Sequence, residues 1–259
     1  MFYIRDITRK NGFILFFIAL LSAFTTTGCS IFQNNGNPNL DLSTKNRYTS
    51  EEDIMWRFSQ GHNSSMFLKA HWSNGYPFDC RWSTNNISFD NEGLSMSLTK
   101  ENDTFYGAEY RTHKRSTYGY YSVSMKPIKK SGVISSFFLY TSYPWWDEID
   151  IEFLGKDTTM VQFNYYHKGK GRHEYYYKLG FDASKEFHEY GFYWASDYIE
   201  WYVDGKAVYK ANVEIPTSDM ILMANVWNVH KDYKQWAGLF VDDNLPVSAK
   251  YEWFAYTSI

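Results

Sequence analysis

Residues 145–155 read Trp145-Trp146-Asp147-Glu148-Ile149-Asp150-Ile151-Glu152-Phe153-Leu154-Gly155, and from Glu148 to Phe153 acids alternate one for one with apolar side chains. Successive side chains of a β-strand point to opposite faces. Glu148, Asp150 and Glu152 therefore share one face, while Ile149, Ile151 and Phe153 turn the other way into a core. The same period of two recurs along the chain. Ile87-Ser88-Phe89 runs through the turn Asn91-Glu92-Gly93 into Leu94–Leu98, and Tyr120–Met125 alternates until Lys126-Pro127. Tyr198–Val203 meets Asp204-Gly205, a hairpin turn signal, and Lys206–Tyr209 returns; Met220–Val226 and Ala249–Tyr256 are further strands. No 3.6-residue period is sustained. Many short strands with turn signals between them predict an all-β sandwich or jelly roll.

The chain's 259 residues suffice for one large β domain or at most two small ones. Aromatic residues make up 20% of it, enough for a sizeable core and a binding surface besides, so disorder is excluded. Lys and Arg number 26 against 29 Asp and Glu, a net charge of −3 that argues against a nucleic-acid partner. The two cysteines, Cys29 and Cys80, exclude a disulfide scaffold and a Cys-rich zinc module. The seven His are scattered without ligand spacing, and no nucleophile elbow, HExxH, P-loop or dinucleotide fingerprint is present.

Residues 1–28 have the tripartite form of a secretory signal. Arg5, Arg9 and Lys10 precede the apolar run of residues 13–24, which is shorter than the ~20 residues needed to span a bilayer. Thr26-Thr27-Gly28-Cys29 resembles a bacterial lipobox, although Thr26 stands where Leu is usual. Lipidation of Cys29 is expected, with plain secretion as the alternative; either way the protein is exported, to the cell surface or beyond. Residues 29–53 are rich in Asn, Ser, Thr and charge, and read as a flexible tether. The folded domain is predicted over 54–259.

Three acids on one strand face repel one another, and inside a cleft that repulsion pushes at least one pKa upward. Similar carboxyls can then divide into an anion and an acid. Glycoside hydrolysis uses such a pair, at about 5–5.5 Å in a retaining mechanism. Glu148 and Glu152 lie about 13 Å apart at Cα in a flat strand, so curvature and side-chain convergence have to close the gap. The alternative is a solvated acidic face; the flanking Trp residues and the apolar far face favour a site.

Asp147–Gly155 (DEIDIEFLG) resembles the catalytic signature of glycoside hydrolase family 16, and within it the bacterial lichenases, endo-β-1,3-1,4-glucanases. The likeness continues in the same order through KAHWSNGYPFDCRW (69–82), AEYRT (108–112), YGYYSVSMKP (118–127), SSFFLYT (135–141), VQFNYYHKG (161–169), LGFDASKEFHEYGFYW (179–194), IEWYVDG (199–205) and YEWFAYTS (251–258). It spans roughly Trp56 to Ser258. The resemblance implies a concanavalin A-like jelly roll of two antiparallel sheets, with an open cleft on the concave face for a polysaccharide. It implies Glu148 as nucleophile, Glu152 as general acid and then base, and Asp150 as the group that tunes both. No organic cofactor is needed, and a monomer is expected.

The resemblance also points to substrate-binding residues: Trp72, Asn74, Glu109, Arg111, Trp146, Asn164, Tyr166, Asn225 and Trp227. Glu109 and Arg111 alternate on one strand and suit sugar hydroxyls, with an exposed cross-strand ion pair as the alternative. Trp146 and Trp227 offer flat apolar area to a pyranose, with a core role as the alternative. Two departures from the family stand out. Gly107 occupies the position of the cysteine that lichenases commonly pair with the one matching Cys80, so Cys80 is expected to be a buried free thiol. Glu252 replaces the Asp that, with backbone oxygens, holds a structural calcium in the family; a carboxylate oxygen is retained one methylene further out, so Glu252 is a candidate calcium ligand and a structural calcium the candidate metal. The loop Thr141–Trp145 is also shorter than its lichenase counterpart. The predicted activity is therefore cleavage of β-1,4 bonds in mixed-linkage β-1,3-1,4-glucan. A xyloglucan- or laminarin-active relative and a non-catalytic glycan-binding lectin are the alternatives.

Overall fold

The computed structural model describes residues 54–258; the predicted signal (1–28), the tether (29–53) with Cys29, and Ile259 lie outside the described residues. The described chain is an all-β jelly roll. Its front sheet runs in the order β11 (Tyr175–Lys178), β10 (Met160–Tyr166), β9 (Asp147–Leu154), β8 (Val133–Thr141), β15 (Met220–Asn228) and β6 (Thr104–Ser116). The back sheet runs β5 (Gly93–Glu101), β16 (Val247–Ser258), β7 (Gly119–Lys126), β12 (His188–Trp194), β13 (Ile199–Val203) and β14 (Lys206–Ala211). All these neighbours pair antiparallel, and the two sheets join at one edge, where Thr99–Glu101 meets Thr104–Tyr106. Short strands complete the edges: β1 (Ile54–Arg57) on β16, β2 (Phe67–Lys69) and β3 (Arg81–Trp82) on β6, and β4 (Ile87–Asp90) on β5. Only β3 pairs in parallel among the described strands.

The strands read from the sequence all form. The Asp204-Gly205 turn joins β13 to β14 with both residues at positive φ, the geometry that matches the twist of a hairpin. Between β4 and β5 the Asp90 carboxylate accepts the backbone N–H of Glu92 and of Gly93, closing that turn locally.

The core lies between the sheets and is aromatic. Ile149, Ile151 and Phe153 of β9 are fully buried there. Phe153 meets Tyr190 edge-on at 4.9 Å, and Phe137 of β8 contacts Phe254 of β16 at 5.1 Å. Trp201 of β13 stacks on Phe163 of β10 at 5.7 Å, and its indole N–H donates to the Asp150 carbonyl at 3.2 Å. The back sheet thus fixes the middle of β9 through a buried hydrogen bond as well as by packing. The outer face of the front sheet is left to carry polar groups.

Candidate active site

Pairing register builds the site in rungs across the front sheet. On one rung Glu152 of β9 stands between Gln162 of β10 and Ser136 of β8, and the rung continues through Asn225 of β15 to Glu109 of β6. The next rung sets Asp150 between Asn164 and Phe138, and continues to Met223 and Arg111. The third sets Glu148 between Tyr166 and Tyr140. The period-two reading of β9 is therefore realised: three acids face outward together while their apolar neighbours fill the core.

Each acid has its own surroundings. Trp146 Nε1 donates to Glu148 Oε2 at 2.6 Å, and the Trp146 ring stacks on Tyr166 with centroids 4.3 Å apart at 13°. Gln162 Nε2 donates to Glu152 Oε2 at 2.8 Å, and Gln162 Oε1 accepts from Trp236 Nε1 at 2.8 Å. That relay fixes the amide so that its N–H faces the acid. Burial pushes Glu148 up to about 7, held from going higher by the Trp146 indole and by a hydrogen bond from Asp150. Burial and then the Glu148 charge push Glu152 up to about 8. Asp150, buried between two carboxyls, is raised well above an ordinary Asp. The order of ionisation follows from these contacts. Glu148 loses its proton first, Asp150 keeps one and donates it to Glu148, and Glu152 stays protonated to a higher pH than Glu148. This is the division of similar carboxyls into one anion and one acid.

Asp147, at the start of β9, is fully buried and serves as a post. Its carboxylate accepts from the backbone N–H of Lys168 at 2.7 Å, Thr217 at 3.1 Å and Ser218 at 3.0 Å, tying two loops to β9.

The remaining predicted residues fall into two groups. Trp72, Asn74, Glu109 and Arg111 come together at the β6 end. Trp72 Nε1 donates to Asn74 Oδ1 at 3.1 Å, and the Arg111 guanidinium lies 4.5 Å over the Trp72 ring. Glu109 is only 2% exposed, and burial raises it to about 7 against the pull of Arg111 and Asn74. An exposed ion pair does not describe it. Nearer the acids, Asn225 Oδ1 accepts from Ser136 Oγ at 2.6 Å. Asn164 Oδ1 is buried beside Asp150 without a protein partner. Trp227 shares the outward parity of Asn225 but is only 5% exposed, packed on Phe78 at 4.2 Å and near Trp236 at 6.1 Å. It supports the wall more than it lines the surface.

Gln162, Trp236, Tyr140 and Asp147 were not singled out from sequence. Gln162 and Tyr140 follow from register alone once β8, β9 and β10 are paired. Trp236 sits on a four-residue helix, Lys234–Ala237, too short to leave a periodic signal.

Glu252 lies on the back sheet at the register shift of β16 against β7, where its carboxylate accepts from Ser124 Oγ. Calcium takes six to eight oxygens. One oxygen of the Glu252 carboxylate is committed to Ser124, and among the described residues no group of three or more His, Cys, Asp or Glu is placed to hold a metal ion. No step below depends on a metal. Cys80 is a buried free thiol, pushed up to about 12 by burial. A Cβ on Gly107 would stand 2.9 Å from Cys80 Sγ but 2.4 Å from the Val226 carbonyl. A side chain at position 107 would thus lie beside Cys80 but clash with the backbone of β15.

Comparison with known proteins agrees with this architecture. The family model described as glycosyl hydrolases family 16 matches residues 74–253. The β-glucanase of Paenibacillus polymyxa is 48% identical over 212 residues, covering 80% of this chain and 88% of that protein. Among solved structures, the Bacillus licheniformis β-glucanase superposes with a TM-score of 0.77 at 41% identity, covering 80% of this chain and 98% of that one. A β-1,3-1,4-glucanase (lichenase) derived from a mouse hindgut metagenome superposes with a TM-score of 0.76 at 43% identity, covering 80% of this chain and 99% of that one.

Proposed function

The chain belongs to glycosyl hydrolase family 16, and from that premise we propose that it is an endo-acting, retaining hydrolase that cuts β-1,4 bonds in mixed-linkage β-1,3-1,4-glucan. The observation that carries this reading is the outward row Glu148-Asp150-Glu152, in which hydrogen bonds separate an anion from an acid. Likeness to lichenases along nearly the whole described domain supports the choice of substrate.

In the first step the Glu148 carboxylate attacks the anomeric carbon. The carbon–oxygen bond to the leaving sugar breaks, and Glu152 gives its proton to the departing oxygen. Trp146 and Asp150 spread the Glu148 charge beforehand, and the Trp201 bond behind Asp150 keeps the strand from yielding. In the second step the now anionic Glu152 takes a proton from water, and the resulting hydroxide displaces Glu148 from the anomeric carbon. Both carboxyls return to their starting states and configuration is retained. Carboxyls and water balance the reaction without an organic cofactor.

Binding follows the same face. Glu109, Asn74, Arg111 and Trp72 offer hydrogen bonds and one flat surface to sugars bound toward β6. The unpartnered Asn164 Oδ1 is an acceptor suited to a sugar hydroxyl next to the reacting ring. Export rests on the basic and apolar segments of residues 1–24, and a lipid anchor on Cys29 would tether the domain through residues 29–53.

The test offers barley β-glucan, laminarin, xyloglucan and carboxymethylcellulose to the purified protein. Short oligosaccharides are expected from barley β-glucan alone, with the β anomer formed first by proton NMR. Preferred cleavage of laminarin or xyloglucan would replace the substrate. Binding without turnover on all four would replace the enzyme by a lectin.

A further inference from the structure

We infer that Tyr176 is a stacking platform for the leaving-group side of the glucan, placed by β11 at the end of the Glu152 rung. This rests on the hydrolase reading above and extends it to a surface on the other side of the acids from Trp72.

The placement begins with three consecutive tyrosines. In β11, Tyr175 and Tyr177 point one way and Tyr176 the other. Tyr177 stacks on Phe163 at 6.4 Å and 21°, and Tyr175 stacks on Tyr209 of β14 at 3.9 Å and 3°. The edge strand is thereby held by one aromatic contact to its neighbour β10 and one to β14 of the back sheet. Tyr176 faces the catalytic side, directly across from Gln162, and is 46% exposed. The rung therefore reads Tyr176, Gln162, Glu152, Ser136, Asn225, Glu109, with an aromatic ring at one end and a buried acid at the other.

The direction of the substrate follows from the two ends of this rung. With the glycone bound toward β6 by Trp72, Asn74, Glu109 and Arg111, as in the reading above, the sugar that leaves beside Glu152 lies over β10 and β11, and the flat exposed surface there is Tyr176. Trp236, which holds Gln162, also faces the Tyr176 hydroxyl, which burial and the nearby Glu152 push up to about 12. The ring is neutral at working pH and held at the edge of the acid's surroundings. A tyrosine exposed this far on a held strand loses little freedom on binding and offers flat apolar area to a pyranose.

The test compares two substrates that share the same glycone. One is barley β-glucan, whose leaving group is a sugar chain. The other is a 4-nitrophenyl glycoside of a β-glucan oligosaccharide, whose leaving group is a small phenol. Tyr176→Ala is expected to lower the ratio of kcat/KM on the polymer to kcat/KM on the aryl glycoside by about 3- to 10-fold, and Tyr176→Phe to restore it. Equal loss on both substrates would assign Tyr176 a structural role and overturn the inference. An unchanged ratio would overturn it too, since no stacking would then be felt. A wild-type protein inactive on both substrates would instead overturn the hydrolase reading, and this platform with it.

Discussion

Replacing Trp146 by Phe removes one hydrogen bond and leaves the ring stack on Tyr166 in place. The bond in question joins the indole N–H to the Glu148 carboxylate at 2.6 Å. A hydrogen bond to a charged group contributes about 1.5–3 kcal/mol, and one pKa unit corresponds to about 1.4 kcal/mol. Glu148 should therefore rise by about one to two units from its position near 7. That carries it to or past Glu152, which sits at about 8. The acid limb of kcat/KM reports the free enzyme's essential base, so it should move up by the same amount. At pH 6, where Glu148 is mostly protonated in both proteins, kcat/KM should fall about 10- to 100-fold. Above the shifted limb the loss should be much smaller. The assay is kcat/KM on soluble β-glucan across pH 4–10, with circular dichroism to confirm the fold. A loss of equal size at every pH, with the acid limb unmoved, would refute the reasoning and leave Trp146 as a sugar-stacking surface only.

Three further outcomes follow from the same contacts. The folded state holds the Glu152 proton up to about pH 8, far above an ordinary Glu, so this group weighs on stability increasingly from about pH 4.5 to 8 and not below. Glu152→Gln should therefore stabilise the fold by about 1–3 kcal/mol at pH 8 and by almost nothing at pH 4; urea melts showing the reverse pH trend would contradict the burial argument. Gly107→Ala places a methyl 2.4 Å from the Val226 carbonyl and should destabilise by about 1–3 kcal/mol, whereas a neutral melt would mean that β15 yields freely. Because Glu252 is engaged by Ser124, EDTA should lower Tm by less than about 2 °C, and a drop of many degrees would reveal a calcium site with a different set of ligands.

The sequence is most legible where side-chain chemistry alternates. In Glu148–Phe153 an acid and an apolar residue trade places at every step, so strand, face and core follow from the pattern. The Asp204-Gly205 hairpin is legible for a local reason, since both residues take positive φ. Strands such as β8 carry less signal. Val133–Leu139 is buried on both faces, so Ser135 and Ser136 interrupt an otherwise apolar run without marking an outside. The site divides the same way. The acids announce themselves by spacing, whereas Gln162 and Tyr140 gain meaning only from register with β9. Trp236 and Tyr176 are further off. One comes from a single helical turn about 80 residues away in sequence, and the other from an aromatic triplet whose middle member faces out only because its neighbours pack inward. Trp227 shows the opposite limit: its parity points to the site, yet packing on Phe78 and Trp236 removes it from the surface.

The central claim is that Glu148 forms the covalent bond to the sugar. The direct measurement treats the protein with an activated 2-deoxy-2-fluoro β-glucan oligosaccharide, which slows release of the glycosyl-enzyme, and locates the added mass in peptic fragments. The account predicts stoichiometric labelling on Glu148, lost in Glu148→Gln and absent from Glu152. Labelling on Glu152, or turnover of the same reagent with inversion and no adduct, would contradict it.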